Sequence, residues 1–144
     1  MNELEANSQR NVVYTSDFLT ITLAADGLYL LADWSGVLDA TSARTGCTAV
    51  LDSLKKYPNS KVLNNNSKVT GHYPGAIDWV GNVWFPSMYT LGVRWFAWVY
   101  SPEFYTQLGT DQIIRLSSKV TIETFYDMAS AQQWLSSCSL QELR

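Results

Sequence analysis

Three side chains in the stretch after Leu63 can be written as a hydrolytic set: Ser67 as nucleophile, His72 as base and Asp78 as the group that orients the base. The chemistry would be acyl transfer, with the imidazole taking the hydroxyl proton as the oxygen attacks. His72 is the only histidine, so all imidazole chemistry would rest on it. Nothing like the sharp strand-to-helix turn that exposes a nucleophilic serine surrounds Ser67, and nearness along a chain is not triad geometry. The expectation is therefore that no residue is catalytic and that the protein is not an enzyme.

Asn64, Asn65 and Asn66 stand directly before Ser67. Read as a polar loop leaving the carboxyl end of a strand, these amides could hold a ligand or a partner's backbone. Asparagine is also the residue that tolerates left-handed turns, which is the plainer role. A phosphate on Ser67 would add about two negative charges beside a helix end, whereas an unmodified serine there tightens a turn. The candidate binding or switch loop is thus Asn64, Asn65, Asn66, Ser67 and His72, with Asp78 at the following helix start. A second set is aromatic. Trp79, Trp84, Trp95 and Trp98 could wall an apolar pocket for a small hydrophobic or aromatic ligand, or pack as core between helix and sheet. Asp33 could be a base with a raised pKa, or could bond the amides of Ser35-Gly36. Cys47 and Cys138 sit in no CxxC, and with one histidine they give no zinc cluster, so no metal and no cofactor are expected. Cys47 falls on a helical stripe and reads as a small buried hydrophobe.

The elements that must position these groups follow from periodicity. β-formers dominate from Val12 to Leu23, and Leu19 to Leu23 alternates apolar and polar. Ala25-Asp26-Gly27 reads as a hairpin turn into a strand Leu28 to Trp34, and Ser35-Gly36 as a loop. Ala43, Cys47, Val50, Leu54 and Tyr57 make one helical stripe, capped by Asp39 or Thr41 and stopped at Pro58-Asn59. A short strand Lys61 to Asn64 leads into the polar loop. Ile77, Val80, Trp84, Met88 and Leu91 make the next stripe, in which Pro86 must kink the helix or start a second one, with Gly92 as stop. Arg94 to Tyr100 is the most hydrophobic strand, with Trp95, Ala97 and Val99 on one face and Phe96, Trp98 and Tyr100 on the other. Ser101-Pro102-Glu103 starts a helix expected to end near Gly109, with an irregular stretch from Thr110 to Ser118. Val120 to Phe125 is a strand, and Asp127 caps a helix with Met128, Ala131, Trp134, Leu135 and Cys138 on its apolar side.

The 144 residues fit one domain, expected over 12–138 between a disordered tail 1–11 and a C-terminal tail 139–144. Hydrophobic residues are 47% and charged residues 16% of the chain, which argues for a folded core rather than disorder. A net charge of −3 without a basic run argues against binding nucleic acid through its phosphates. No apolar run reaches the length of a membrane span, and the N-terminal stretch has no signal-like core, so a cytoplasmic protein is expected. Alternating strands and helices behind an opening hairpin give an α/β fold with a mixed, mostly parallel sheet.

The runs WSGVLD, KVLNNNS, DWVGNVWFPSMYTLGVRWFAWVYSPEFYTQL and TFYDMASAQQWL, in this order and spacing, resemble the bacterial STAS-like group. That group shares the fold of anti-sigma-factor antagonists (SpoIIAA-like) and is also labelled STAS/SEC14. The resemblance covers roughly residues 12 to 137. It implies a four- to five-stranded sheet built from β-α superhelix units, helices largely on one face, and a regulatory module that is not an enzyme. It implies a switch serine at the helix start after the central strand, where Ser67 is the nearest serine. The chain has Asn64 to Asn66 where the group has Asp-Ser, and a longer stretch from Lys68 to Ala76. The leading expectation is a protein-interaction module acting through 64–74. Helices on one face would leave an apolar sheet face, which points to a protein partner or homodimer. The alternative is a small apolar ligand in the tryptophan-lined pocket.

Overall fold

The β-forming runs assemble into one sheet whose strands lie side by side in chain order. They are β1 (Val12–Thr15), β2 (Leu19–Leu23), β3 (Leu30–Val37), β4 (Lys61–Thr70), β5 (Trp95–Val99) and β6 (Thr121–Phe125). A computed structural model describes residues 11–139. Apart from Asn11 and Ser139, the expected tails lie outside the described residues. β1, β2 and β3 are antiparallel neighbours, and β3, β4, β5 and β6 are parallel neighbours. The sheet has six strands rather than four or five. The extra strand arises because the run from Val12 to Leu23 folds back on itself. Ser16 N donates to Leu19 O at 2.8 Å, closing the turn between β1 and β2.

The helices are α1 (Ala40–Lys56), α2 (Pro74–Trp79), α3 (Phe85–Thr90), α4 (Phe104–Leu116) and α5 (Met128–Ser137). Asp39 and Asp127 cap α1 and α5 as expected, their carboxylates accepting from Ser42 N and Ser130 N at 2.8 and 2.7 Å. α2 starts at Pro74 rather than Ile77, because the proline's fixed φ suits a first helical turn. A π-turn, Val80–Trp84, joins α2 to α3, and Phe85 N donates to Val80 O five residues back. Pro86 supplies the reason: it has no N–H, and its ring clashes with the carbonyl four residues before it in a regular helix. The helix restarts with Pro86 in its first turn.

α4 runs through Gly109 to Leu116, where an irregular stretch was expected. Thr106, Gly109, Thr110 and Ile113 form its buried side, a stripe whose threonines and glycine hide it from a hydrophobicity pattern. The helix begins at Phe104. Ser101 does not cap it: its hydroxyl donates to Val69 O at 2.6 Å and accepts from Glu103 N at 3.1 Å. β3 likewise extends to Val37 through the expected Ser35-Gly36 loop, because the longer β4 gives those residues partners.

Parallel crossovers of one hand that always step the same way deposit their helices on one face. α1, the Pro74–Thr90 stretch and Ile113 of α4 accordingly share one core with Leu19, Ile21, Leu30, Val62, Phe96 and Trp98. α5 follows the last strand and packs on the opposite face, where Ala131, Leu135 and Cys138 meet Leu63, Trp95, Ala97 and Val99. The apolar face that pointed to a homodimer is therefore covered from within the chain. Alternation places Thr20, Thr22 and Asp33 on the part of that face beyond α5.

Lys61 fastens α5 down. It is buried, its Nζ donates to Leu135 O at 2.5 Å, and it lies over the Trp95 ring at 5.9 Å. A cation on a last-turn carbonyl also suits the helix dipole. Lys61→Met keeps the apolar stem and removes the donor. It should lower the unfolding free energy by about 1–3 kcal/mol and speed amide exchange in α5. Equal denaturation midpoints for variant and wild type would show that this bond contributes nothing.

Candidate functional site

The three asparagines are not in a loop. β4 continues through Asn64, Asn65, Asn66 and Ser67 to Thr70, and all three asparagines are buried. The strand persists because both neighbours extend alongside: Asn64 pairs with Ala32 and Trp98, and Asn65 with Asp33 and Val99. Beyond them the register with β3 slips by one. Asp33 faces Asn65 but Ser35 faces Lys68, so Asn66 and Ser67 together oppose Trp34. This bulge resets which face each side chain takes. Asn64 and Asn66 lie toward the helices, and Val69 rejoins the same core. Asn65 and Lys68 both lie on the other face. There Asp33 accepts from Asn65 Nδ2 at 3.1 Å and from Lys68 Nζ at 3.0 Å, rather than from the Ser35-Gly36 amides.

The helix-side asparagines face a cavity of about 30 Å³, room for about two waters. It lies toward the carboxyl ends of β3, β4 and β5, the end where α/β sheets hold their ligands. Trp34, Trp84, Trp98 and Tyr73 form its aromatic walls, and Cys47 and Ile113 contribute apolar surface. Trp34 Nε1 donates to Asn64 Oδ1 at 2.8 Å, and Asn64 Nδ2 donates to Asn66 Oδ1 at 3.2 Å. Trp84 Nε1 donates to Cys47 O at 2.9 Å. Trp98 differs: its Nε1 is buried with no hydrogen-bond partner among the described residues. Phe85 and Phe96 pack against its ring with centroids 6.3 and 5.6 Å away, leaving it little freedom to turn.

Backbone choices around the cavity fit these rings. A Cβ at Gly46 would stand 2.3 Å from the Trp34 ring, so α1 approaches β3 this closely only with glycine there. Gly71 has φ +108°, and a Cβ on it would meet Leu38 O at 2.5 Å. Its N–H donates to Glu103 Oε2 at 3.3 Å, and its carbonyl accepts from Thr106 Oγ1 at 2.7 Å. α4 thereby holds the loop that delivers Tyr73 to the cavity.

No charged side chain lines the cavity. Burial raises the Tyr73 hydroxyl pKa to about 12, with Cys47 adding to the shift and a hydrogen bond to Thr110 opposing it. Burial also pushes the Cys47 thiol far up, which leaves it protonated and inert at neutral pH, as its place on the helical stripe implied. The lining is neutral: indoles, amides, a phenol and a thiol.

The remaining sequence-derived residues are dispersed. Ser67 is exposed on β4, His72 is exposed in the loop after it, and Asp78 is exposed on α2, where it accepts from Asn82 Nδ2 at 3.0 Å. No hydrogen bond joins Ser67, His72 and Asp78 among the described residues. Of the four tryptophans, Trp84 and Trp98 meet at the cavity. Trp95 lies under α5 on the opposite face, and Trp79 is half-buried with Arg44 over its ring at 4.9 Å. Sequence reasoning missed Trp34, Tyr73 and Ile113 as cavity residues. The one available signal was that Trp34 and Trp98 fall on the same strand face as the alternating core residues around them.

No helix among the described residues is long and apolar enough to cross a membrane. No family model matches the chain, and no curated protein matches it either.

The Trp34–Asn64 bond has a defined energetic signature. Asn64→Leu leaves the Trp34 N–H buried and unsatisfied and should cost about 1–3 kcal/mol. Replacing both partners, Trp34→Phe with Asn64→Leu, should cost less than the sum of the two single changes. Urea denaturation of the four proteins measures this coupling, and strict additivity would mean that the bond is absent in solution.

Proposed function

We propose that the domain binds a small, largely apolar molecule in the aromatic cavity at the carboxyl end of its parallel strands. The observation that carries this reading is the convergence there of three indoles, a phenol and two buried amides. It is supported by the π-turn, which contributes Val80 and Trp84 to the cavity wall, since such irregularities recur at functional sites. The cavity admits little more than water, so binding displaces part of its wall. The protein performs no covalent chemistry and needs no cofactor in this reading.

Binding between Trp34, Trp84 and Trp98 should shift the tryptophan emission maximum and quench it in a saturable way. Native mass spectrometry of gently purified protein should show an added small mass that organic solvent strips off. A ligand-free mass together with unchanged emission across a broad panel of aromatic and aliphatic compounds would overturn the reading.

A second reading keeps the STAS-like assignment and its protein-interaction role in the cytoplasm. The consecutive β-α order from β3 to α5 supports that fold assignment, though a fold does not by itself carry a function. The specific observation in its favour is an exposed aromatic pair, Phe104 and Tyr105, beside His72; the Tyr105 ring centroid lies 5.5 Å from that of Phe104 and 6.4 Å from that of His72. Both aromatics are about two-thirds exposed, at 66% and 68%. The contact surface would then be the loop around His72 and the start of α4, not the buried asparagines. Phe104→Ser with Tyr105→Ser should abolish co-purification of a partner at unchanged melting temperature. Retention of every co-purifying protein would count decisively against it.

A further inference from the structure

The hydrogen-bonding state of the cavity defines what it can accept. Trp34 Nε1, Asn64 Oδ1, Asn64 Nδ2 and Asn66 Oδ1 satisfy one another in a chain. Trp84 Nε1 is satisfied by Cys47 O. One buried donor is left over: the Trp98 N–H, which has no partner among the described residues. A tryptophan N–H can only donate. A buried donor without an acceptor is costly, and native structures rarely retain one without a reason.

We propose that the ligand is uncharged and carries a carbonyl-type oxygen that accepts from Trp98 Nε1, and that Trp98 is the residue that selects it. This inference rests on the ligand-binding reading above. A carbonyl oxygen accepts and has no proton of its own, so it satisfies Trp98 and demands no acceptor in return. A carboxylate would enter a neutral, desolvated space with no cation to meet it, which is strongly unfavourable. An ammonium would be desolvated in the same neutral space with no carboxylate to meet it. A purely apolar molecule would leave the Trp98 N–H unpaired. The class is therefore a neutral amide, ketone, ester or lactam with a small apolar body against the aromatic walls.

The test uses three probes of matched size, benzamide, benzoate and toluene, titrated into the full ¹⁵N-labelled chain. The indole N–H signals are followed, with the Trp98 signal assigned on the wild-type chain through its proximity to the Phe85 and Phe96 rings. Benzamide should move the Trp98 signal downfield and bind about tenfold tighter than toluene, the worth of one satisfied buried donor. Benzoate should leave the signal in place. Trp98→Phe should bring benzamide down to the level of toluene and leave toluene unchanged. Equal binding of toluene or benzoate, or an intact benzamide preference in Trp98→Phe, would overturn the acceptor assignment while the pocket reading stood. The comparison of the three probes on the wild-type chain decides the assignment even if the variant does not fold. If no probe moves any cavity signal, both the assignment and the pocket reading fall.

Discussion

An amide side chain in the middle of a parallel sheet must find most of its hydrogen bonds within the fold, because bulk solvent does not reach it. Asn64 is 2% exposed on a strand paired on both sides, and its partner is the indole of Trp34 on the next strand. Much of the surrounding structure follows from this pair. Once the bond fixes the Trp34 ring, α1 can lie against it only where Gly46 leaves room. Once Asn64 Oδ1 is taken by Trp34, its Nδ2 turns to Asn66, which the strand's alternation places on the same side. The packing of α1 and the polar lining of the cavity thus share one origin.

Two local irregularities shape the same core by the same physical means. In β4 an extra residue opposite Trp34 resets the alternation beyond Asn66, so that Val69 lies toward the helices. Between α2 and α3 an extra residue in one turn, forced by Pro86, sets the rotation of Val80 and Trp84 relative to α3. Regular elements would place other residues at both positions. The aromatic stack of Phe85, Phe96 and Trp98 closes the far side, with the Phe85 and Phe96 centroids 4.8 Å apart.

The elements whose signals are local were legible in the sequence. The α1 stripe through Cys47, Val50 and Leu54, the aspartate caps, the Gly92 stop and the two-faced alternation of Trp95 to Val99 all depend on near neighbours. What could not be read depends on partners far along the chain. Asn64 to Ser67 look like a loop because polarity is visible, whereas the indole that satisfies Asn64 stands 30 residues earlier. Gly109 and Thr110 look like a helix end because their packing on the α2 side, with Ile77 near Gly109, leaves no hydrophobic mark. The tryptophans could be sorted by strand face but not by cavity. Trp95 and Trp98 stand three residues apart on opposite faces, and only the helices above each face give them different work.

The identity of residue 98 is the sharpest sign that the cavity serves a purpose beyond packing. A phenylalanine there would stack on Phe85 and Phe96 and carry no polar atom, and Phe96 shows that this core accommodates phenyl rings. An indole adds area, but it also adds an N–H that the described residues leave unpaired. Trp34 and Trp84 lie in the same cavity, and each has a protein acceptor within 2.9 Å. The fold therefore supplies acceptors to indoles where structure alone is at stake. At Trp98 the described residues supply none, and an unsatisfied buried donor costs about 1–3 kcal/mol. A cost of that size is offset when an acceptor arrives from solution, which couples occupancy of the cavity directly to the stability of the domain.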